Sequence, residues 1–171
     1  MKRLATKKLT AVAMLTAAAL LIYILEAQVP PPVAIPGVKL GLANIITLVA
    51  VFLLGRREAL LILLLRVFLG SIFTGQAVSF LYSLAGGLCC YGVICLLAPL
   101  WGEKRIWALS VCGALAHNTG QLAVAALLTT LGAVFWYLPV LMISGVISGA
   151  FTGLAAQYTL PRLRSIKSRN R

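Results

Sequence analysis

Residues 9–25 read LTAVAMLTAAALLIYIL, an apolar run without a charge that follows Lys2, Arg3, Lys7 and Lys8. A helix needs about 17–25 mostly apolar residues to cross a bilayer, because it rises about 1.5 Å per residue against roughly 30 Å of hydrocarbon. The run therefore predicts a first transmembrane helix with a basic flank. Five further apolar segments follow, over Leu40–Leu54, Ala59–Leu69, Val78–Leu97, Ile106–Leu131 and Leu138–Leu160. A proline-rich stretch (Pro30, Pro31, Pro32, Pro36) separates the first from the second. The second and third are short, and the third is expected to end in a turn at Gly70–Gly75.

Composition points the same way. The chain has 171 residues, of which 61% are hydrophobic, and its mean hydropathy is +1.03. A soluble domain is about 45–50% apolar, so this chain has more apolar surface than a soluble core of its size could cover. The formal net charge of +12 would suggest a nucleic-acid binder in a polar protein, but the hydropathy excludes one. Disorder is excluded on the same ground, since disordered chains are poor in apolar residues.

The charges fix the expected topology. Lys2, Arg3, Lys7 and Lys8 precede the first segment, and Arg56 and Arg57 lie between the second and third. Lys104 and Arg105 lie between the fourth and fifth. Arg162, Arg164, Lys167, Arg169 and Arg171 follow the sixth. With six spans, all of these fall on one side, and basic residues collect on the cytoplasmic side of a membrane. The loop expected at Gly132–Tyr137 carries no charge. Five or seven spans would split the two basic tails. The expectation is an all-α integral membrane protein of six transmembrane helices with both termini cytoplasmic. Residues 1–8 form a basic N-terminus, 9–160 the transmembrane domain and 161–171 a basic tail. The start also fits a signal peptide cleaved near Gln28, which would leave five spans. Its apolar run is longer than a signal core, however, and Glu26 is out of character at a cleavage site.

Two cations fall outside this pattern. Arg66 sits within Leu60–Leu69, where an arginine near the bilayer centre costs about 2.5–3.5 kcal/mol unless it finds a partner, an anionic ligand or water. It could snorkel outward near Gly70 or pair with Glu26. Lys39 is placed at the outer mouth of the second helix, either as an interfacial anchor or, with Arg66, as part of a cationic entrance for an anionic ligand. Asn44 lies five positions further on. The fifth segment carries His117, Asn118, Thr119 and Gln121; His117 and Gln121 are four apart and share a helix face. Such a wall could bond a heterocycle or carbonyl, or simply join helices. Lys39, Asn44, Arg66, His117, Asn118 and Gln121 are thus the candidate substrate-binding residues.

No catalytic or metal-binding set is expected. The chain has no Asp, its only acids are Glu26, Glu58 and Glu103, and Cys89, Cys90, Cys95 and Cys112 lack a metal-ligand spacing. Gly145, Gly149 and Gly153 form a double Gly-x-x-x-Gly that allows close helix packing. Ala13 and Ala17 give the first helix a smaller version of that face. Ser71–Gly75 faintly echoes Gly149–Gly153, a pattern an inverted repeat would produce.

The stretches Ile35–Asn44, Leu65–Ser71, Ser83–Gly87 and Gly113–Gln121 resemble the signature of the Gx transporter family, also catalogued as heptaprenyl diphosphate synthase component I. The resemblance extends over residues 10–160. That family is similar to the substrate-binding S components of energy-coupling-factor transporters. The resemblance implies a six-helix S-component-like bundle in the bacterial cell membrane. It further implies uptake of a small, anionic micronutrient and docking through Ala13 and Ala17 to a transmembrane coupling subunit. Cytoplasmic ATPases would use the ATP, since this chain has no Gly-Lys-Ser or Gly-Lys-Thr loop and binds no cofactor of its own. The catalogued name implies an alternative, a non-catalytic accessory subunit of heptaprenyl diphosphate synthase. A proton-coupled carrier using Glu26 and His117 is a third. No reading involves nucleic acid.

Overall fold

A computed structural model describes residues 2–28, 39–75, 77–128 and 131–169. Six α-helices account for nearly all of them: α1 (Lys2–Glu26), α2 (Asn44–Leu53), α3 (Arg56–Thr74), α4 (Ala77–Trp101), α5 (Ile106–Leu128) and α6 (Leu131–Arg169). A single 3₁₀ turn at Glu103–Arg105 precedes α5, and no strand occurs among the described residues. Four segments are long and apolar enough to cross a membrane: Thr6–Glu26, Ala77–Trp101, Glu103–Leu128 and Trp136–Ser165. Large apolar side chains such as Leu9, Met14, Phe68, Phe73, Phe151 and Tyr158 stand on the outside of the bundle, as they do where hydrocarbon rather than water is the solvent.

Close packing in α4, α5 and α6 rests on glycine. A Cβ at Gly149 would lie 2.7 Å from Val111 Cα, and one at Gly153 only 2.6 Å from Trp107 Cα. Gly120 brings α5 equally close to the Ala85 carbonyl of α4. Across the α5–α6 contact the Ser110 and Thr152 hydroxyls bond at 3.0 Å. Gly145, the first glycine of the series, faces the Asn118 amide. On the other side, Val12 and Ala19 of α1 pack with Ala59 and Ile62 of α3. The short α2 lies between these groups. Its Ala50 joins the α1–α3 core, while Leu48 and Val49 join Cys90, Ile94, Leu109 and Leu160 of α4, α5 and α6.

One end of the bundle is tied by ions. Lys8 of α1 pairs with Glu58 of α3, and Arg164 of α6 pairs with Glu103 before α5. Arg164 Nη2 also donates to the Phe52 carbonyl at the end of α2, at 2.9 Å. These bonds gather the basic clusters around residues 7–8, 56–57, 104–105 and 162–164 at a common end.

Several boundaries differ from those read in the sequence. The second helix begins at Asn44 rather than Leu40, because residues 39–43 are held in a non-helical course described below. The third runs through Gly70 to Thr74 instead of turning there. The Ser71 and Thr74 hydroxyls bond back to the Phe68 and Gly70 carbonyls at 2.8 Å, which satisfies them inside a helix. The helix stops only at Gly75, whose left-handed φ of 65° suits glycine alone. Gly132–Tyr137 is the first part of α6 rather than a loop. The same helix continues to Arg169, so most of the basic tail is helical. The proline-rich stretch lies outside the described residues.

The glycine contacts predict opposite outcomes for two alanine substitutions. Gly149→Ala drives a methyl into Val111 and should cost about 1–3 kcal/mol. Gly92→Ala, on α4 with nothing within 4 Å of its Cβ position, should gain about 0.5–1 kcal/mol. Melting temperatures in detergent will distinguish the two; equal values for both variants would contradict backbone contact at Gly149.

Candidate functional site

The polar side chains of the interior share a depth. Asn44, Arg66 and His117 lie nine, ten and eleven residues from the basic ends of α2, α3 and α5. At 1.5 Å per residue that is about 15 Å, half of the roughly 30 Å hydrocarbon thickness. Because α2 is only 10 residues long, it reaches this level and goes no further. The chain before it enters the bundle as non-helical backbone. In a bilayer such backbone is tolerated only where protein or a cavity supplies its hydrogen bonds.

Side chains supply them. The Gln121 amide donates to the Lys39 carbonyl (3.0 Å) and accepts from the Lys39 N–H (3.3 Å) and from His117 Nε2 (3.1 Å). The Lys39 backbone therefore fixes which way Gln121 points. Gln121 in turn requires the proton on His117 Nε2. Glu26 Oε1 accepts from the Gly41 N–H. Gly41 has φ 78°, and a Cβ there would come within 2.8 Å of both Asn44 Nδ2 and His117 Cδ2, so only glycine fits between them.

Two buried cations occupy this nest. Arg66 is 2% exposed and donates from Nη2 to Asn44 Oδ1 at 3.1 Å; its Nε has no hydrogen-bond partner. It does not reach the bundle surface, which rules out snorkelling. Lys39 is 8% exposed. Its ammonium sits 3.6 Å from the centre of the Tyr23 ring, a cation–π contact, and Nζ also lacks a hydrogen-bond partner. Lys39 is thus a buried group at the bundle centre rather than an anchor at an outer mouth. Tyr23 is positioned by Gly70, whose missing side chain admits the ring, and by Ser79 and Ser83, whose hydroxyls lie 3.4 and 3.2 Å from its own. The Glu26 carboxylate interacts electrostatically with both cations. Neither forms a direct ion pair with it among the described residues.

The structure therefore brings together Lys39, Asn44, Arg66, His117 and Gln121. Asn118 belongs elsewhere. One residue further round α5, it donates to the Leu141 carbonyl of α6, and its Oδ1 is buried without a partner. Ala13 and Ala17 are exposed on α1. Tyr23 and Ser79 are not marked in the sequence, since a lone Tyr or Ser in an apolar run gives no signal; Gly41 and Ser83 fall within the stretches Ile35–Asn44 and Ser83–Gly87 but not among the candidate binding residues. In the sequence Glu26 stands out only as a possible partner of Arg66 or, with His117, as a possible proton carrier, and not as a substrate-binding residue. Among the described residues no three His, Cys, Asp or Glu side chains gather to hold a metal.

A family model described as heptaprenyl diphosphate synthase component I matches residues 15–159. No curated protein and no solved structure matches the chain.

Gln121→Leu tests the architecture of the nest. It strips the Lys39 N–H and C=O and His117 Nε2 of their partner, and leaving buried polar groups unpaired costs about 1–3 kcal/mol each. The variant should melt well below the wild type in detergent. An unchanged melting temperature would mean that residues 39–43 are held by something else.

Proposed function

The chain belongs to the heptaprenyl diphosphate synthase component I family, and from that premise we propose that it is a substrate-binding membrane subunit for uptake of a small anionic micronutrient. The observation that carries this reading is the pair Lys39 and Arg66. Each is buried at mid-bundle depth with a donor that nothing in the protein uses. Intramembrane ionisable groups are costly and mark ligand or ion paths. The two cations hold the ligand's acidic group, while Asn44, His117 and Gln121 line the same space. In this reading the basic end of the bundle faces the cytoplasm, both termini lie there, and the ligand enters from outside. Asn118 acts indirectly, through the α5–α6 contact.

Transport needs a source of energy that this sequence does not encode. The S-component likeness supplies it as a coupling subunit docked on the exposed Ala13 and Ala17 of α1, with cytoplasmic ATPases behind it. The bundle would then respond as a rigid body to their hydrolysis of ATP.

The family description favours a second reading, a non-catalytic accessory subunit of a prenyl diphosphate synthase. The same two cations would then receive a diphosphate headgroup, and the metal-holding carboxylates would come from the partner, since this chain has no Asp.

Affinity purification of the tagged chain from its native membrane separates these readings. Recovery of a coupling subunit with ATPases, and of a small acid identified by mass spectrometry, is the expected result. Recovery of a soluble prenyltransferase alone would overturn it. Arg66→Ala should lose the co-purifying molecule while keeping a monodisperse, helical protein; retention of the molecule would remove Arg66 from the site.

A further inference from the structure

We infer that the acidic group this site accepts carries a single negative charge, as a carboxylate does, and that Glu26 sets this choice. The inference rests on the binding role proposed for Lys39 and Arg66 and specifies the class of anion that fits between them.

The charges of the interior can be counted. Lys39, Arg66 and Glu26 are 8%, 2% and 5% exposed. The two remaining acids of the chain, Glu58 and Glu103, are engaged by Lys8 and Arg164 at the basic end. With Glu26 ionised by the Gly41 N–H it accepts from and by the two cations beside it, two positive charges face one negative charge, in surroundings where an uncompensated ion is expensive. One added negative charge closes the count, whereas a dianion overshoots it. The N-terminus of α2, at Asn44, adds a partial positive charge only, about half a unit.

Glu26 is not free to leave when a ligand arrives. Its carboxylate holds the Gly41 N–H, so its departure would strand a buried backbone donor. It therefore stays in place as a fixed part of the charge count. Arg66 Nε–H and the Lys39 ammonium, both without a hydrogen-bond partner, suffice for the two oxygens of one carboxylate while Arg66 Nη2 keeps its bond to Asn44.

Changing the count should change the preferred charge. Glu26→Gln keeps an oxygen for the Gly41 N–H but leaves two positive charges; Lys39→Gln leaves none in excess. Three matched probes read the difference: benzamide (neutral), benzoate (one charge) and phenyl phosphate, which is mostly dianionic at about pH 8. Dissociation constants follow from melting-temperature shifts of the full chain in detergent. The wild type should prefer benzoate over phenyl phosphate by about tenfold, a preference that Glu26→Gln should reverse. Should that variant fail to fold, Lys39→Gln decides, by moving preference from benzoate to benzamide. A wild type that favours phenyl phosphate, or variants that leave the order unchanged, would overturn the inference while leaving the binding role intact. Benzoate stabilisation that survives Arg66→Ala, or a wild type indifferent to all three probes, would sink the binding role itself.

Discussion

Residues 39–43 are non-helical backbone packed inside an apolar bundle, and the centre of the bundle is arranged around satisfying them. Gln121 closes both the N–H and the C=O of Lys39, and Glu26 closes the N–H of Gly41. Each of these groups would otherwise cost several kcal/mol in hydrocarbon. The requirement accounts for polar side chains on α1 and α5 that apolar packing alone would not place there. It also orients His117, because the amide that serves Lys39 has only its oxygen left for the imidazole. A short α2 and a polar interior are therefore consequences of the same stretch of chain.

The nest lies where two groups of helices meet. Gly120, Gly149 and Gly153 bring α4, α5 and α6 into backbone contact, and contacts of that kind leave little room for adjustment. These three helices form one group. It contributes His117 and Gln121. The other group contributes Glu26 from α1 and Arg66 from α3, with Lys39 and Asn44 at the head of α2. Hydrogen bonds between the two groups at this point run from Gln121 to the Lys39 backbone and from Tyr23 of α1 to Ser79 and Ser83 of α4.

Much of this was legible in the sequence. Apolar runs of spanning length, the one-sided basic clusters and two cations out of place gave the helices and five of the residues that meet in the nest. What stayed hidden depended on partners distant in the chain. Leu40–Ala43 is apolar enough to continue a helix, and it is Gln121 on the Lys39 backbone and Glu26 on the Gly41 N–H, both distant in the chain, that hold it in another course. Gly70–Thr74 has the residues of a turn in water, yet in an apolar bundle its hydroxyls bond to the preceding turn and the helix persists. Asn118 adjoins His117 in sequence, but one residue is about 100° of helix, enough to aim it at α6. The proximity of Glu26 to Lys39 spans the proline-rich stretch and has no local signature at all.

The family description joins this chain to prenyl diphosphate synthesis, and its residues limit the part it can play there. Holding Mg²⁺ on a diphosphate calls for several carboxylates together. Here Glu58 and Glu103 are engaged in ion pairs at the basic end, and Glu26 alone is left inside. Glu26 is thus a single interior carboxylate beside two cations, and no three His, Cys, Asp or Glu side chains gather among the described residues. The surplus of positive charge is small, one unit against the +12 of the whole chain, yet it is the portion that neither the basic end nor the surface explains. A cation inside an apolar bundle persists only against a standing cost, and Lys39 Nζ and Arg66 Nε are buried there without a hydrogen-bond partner.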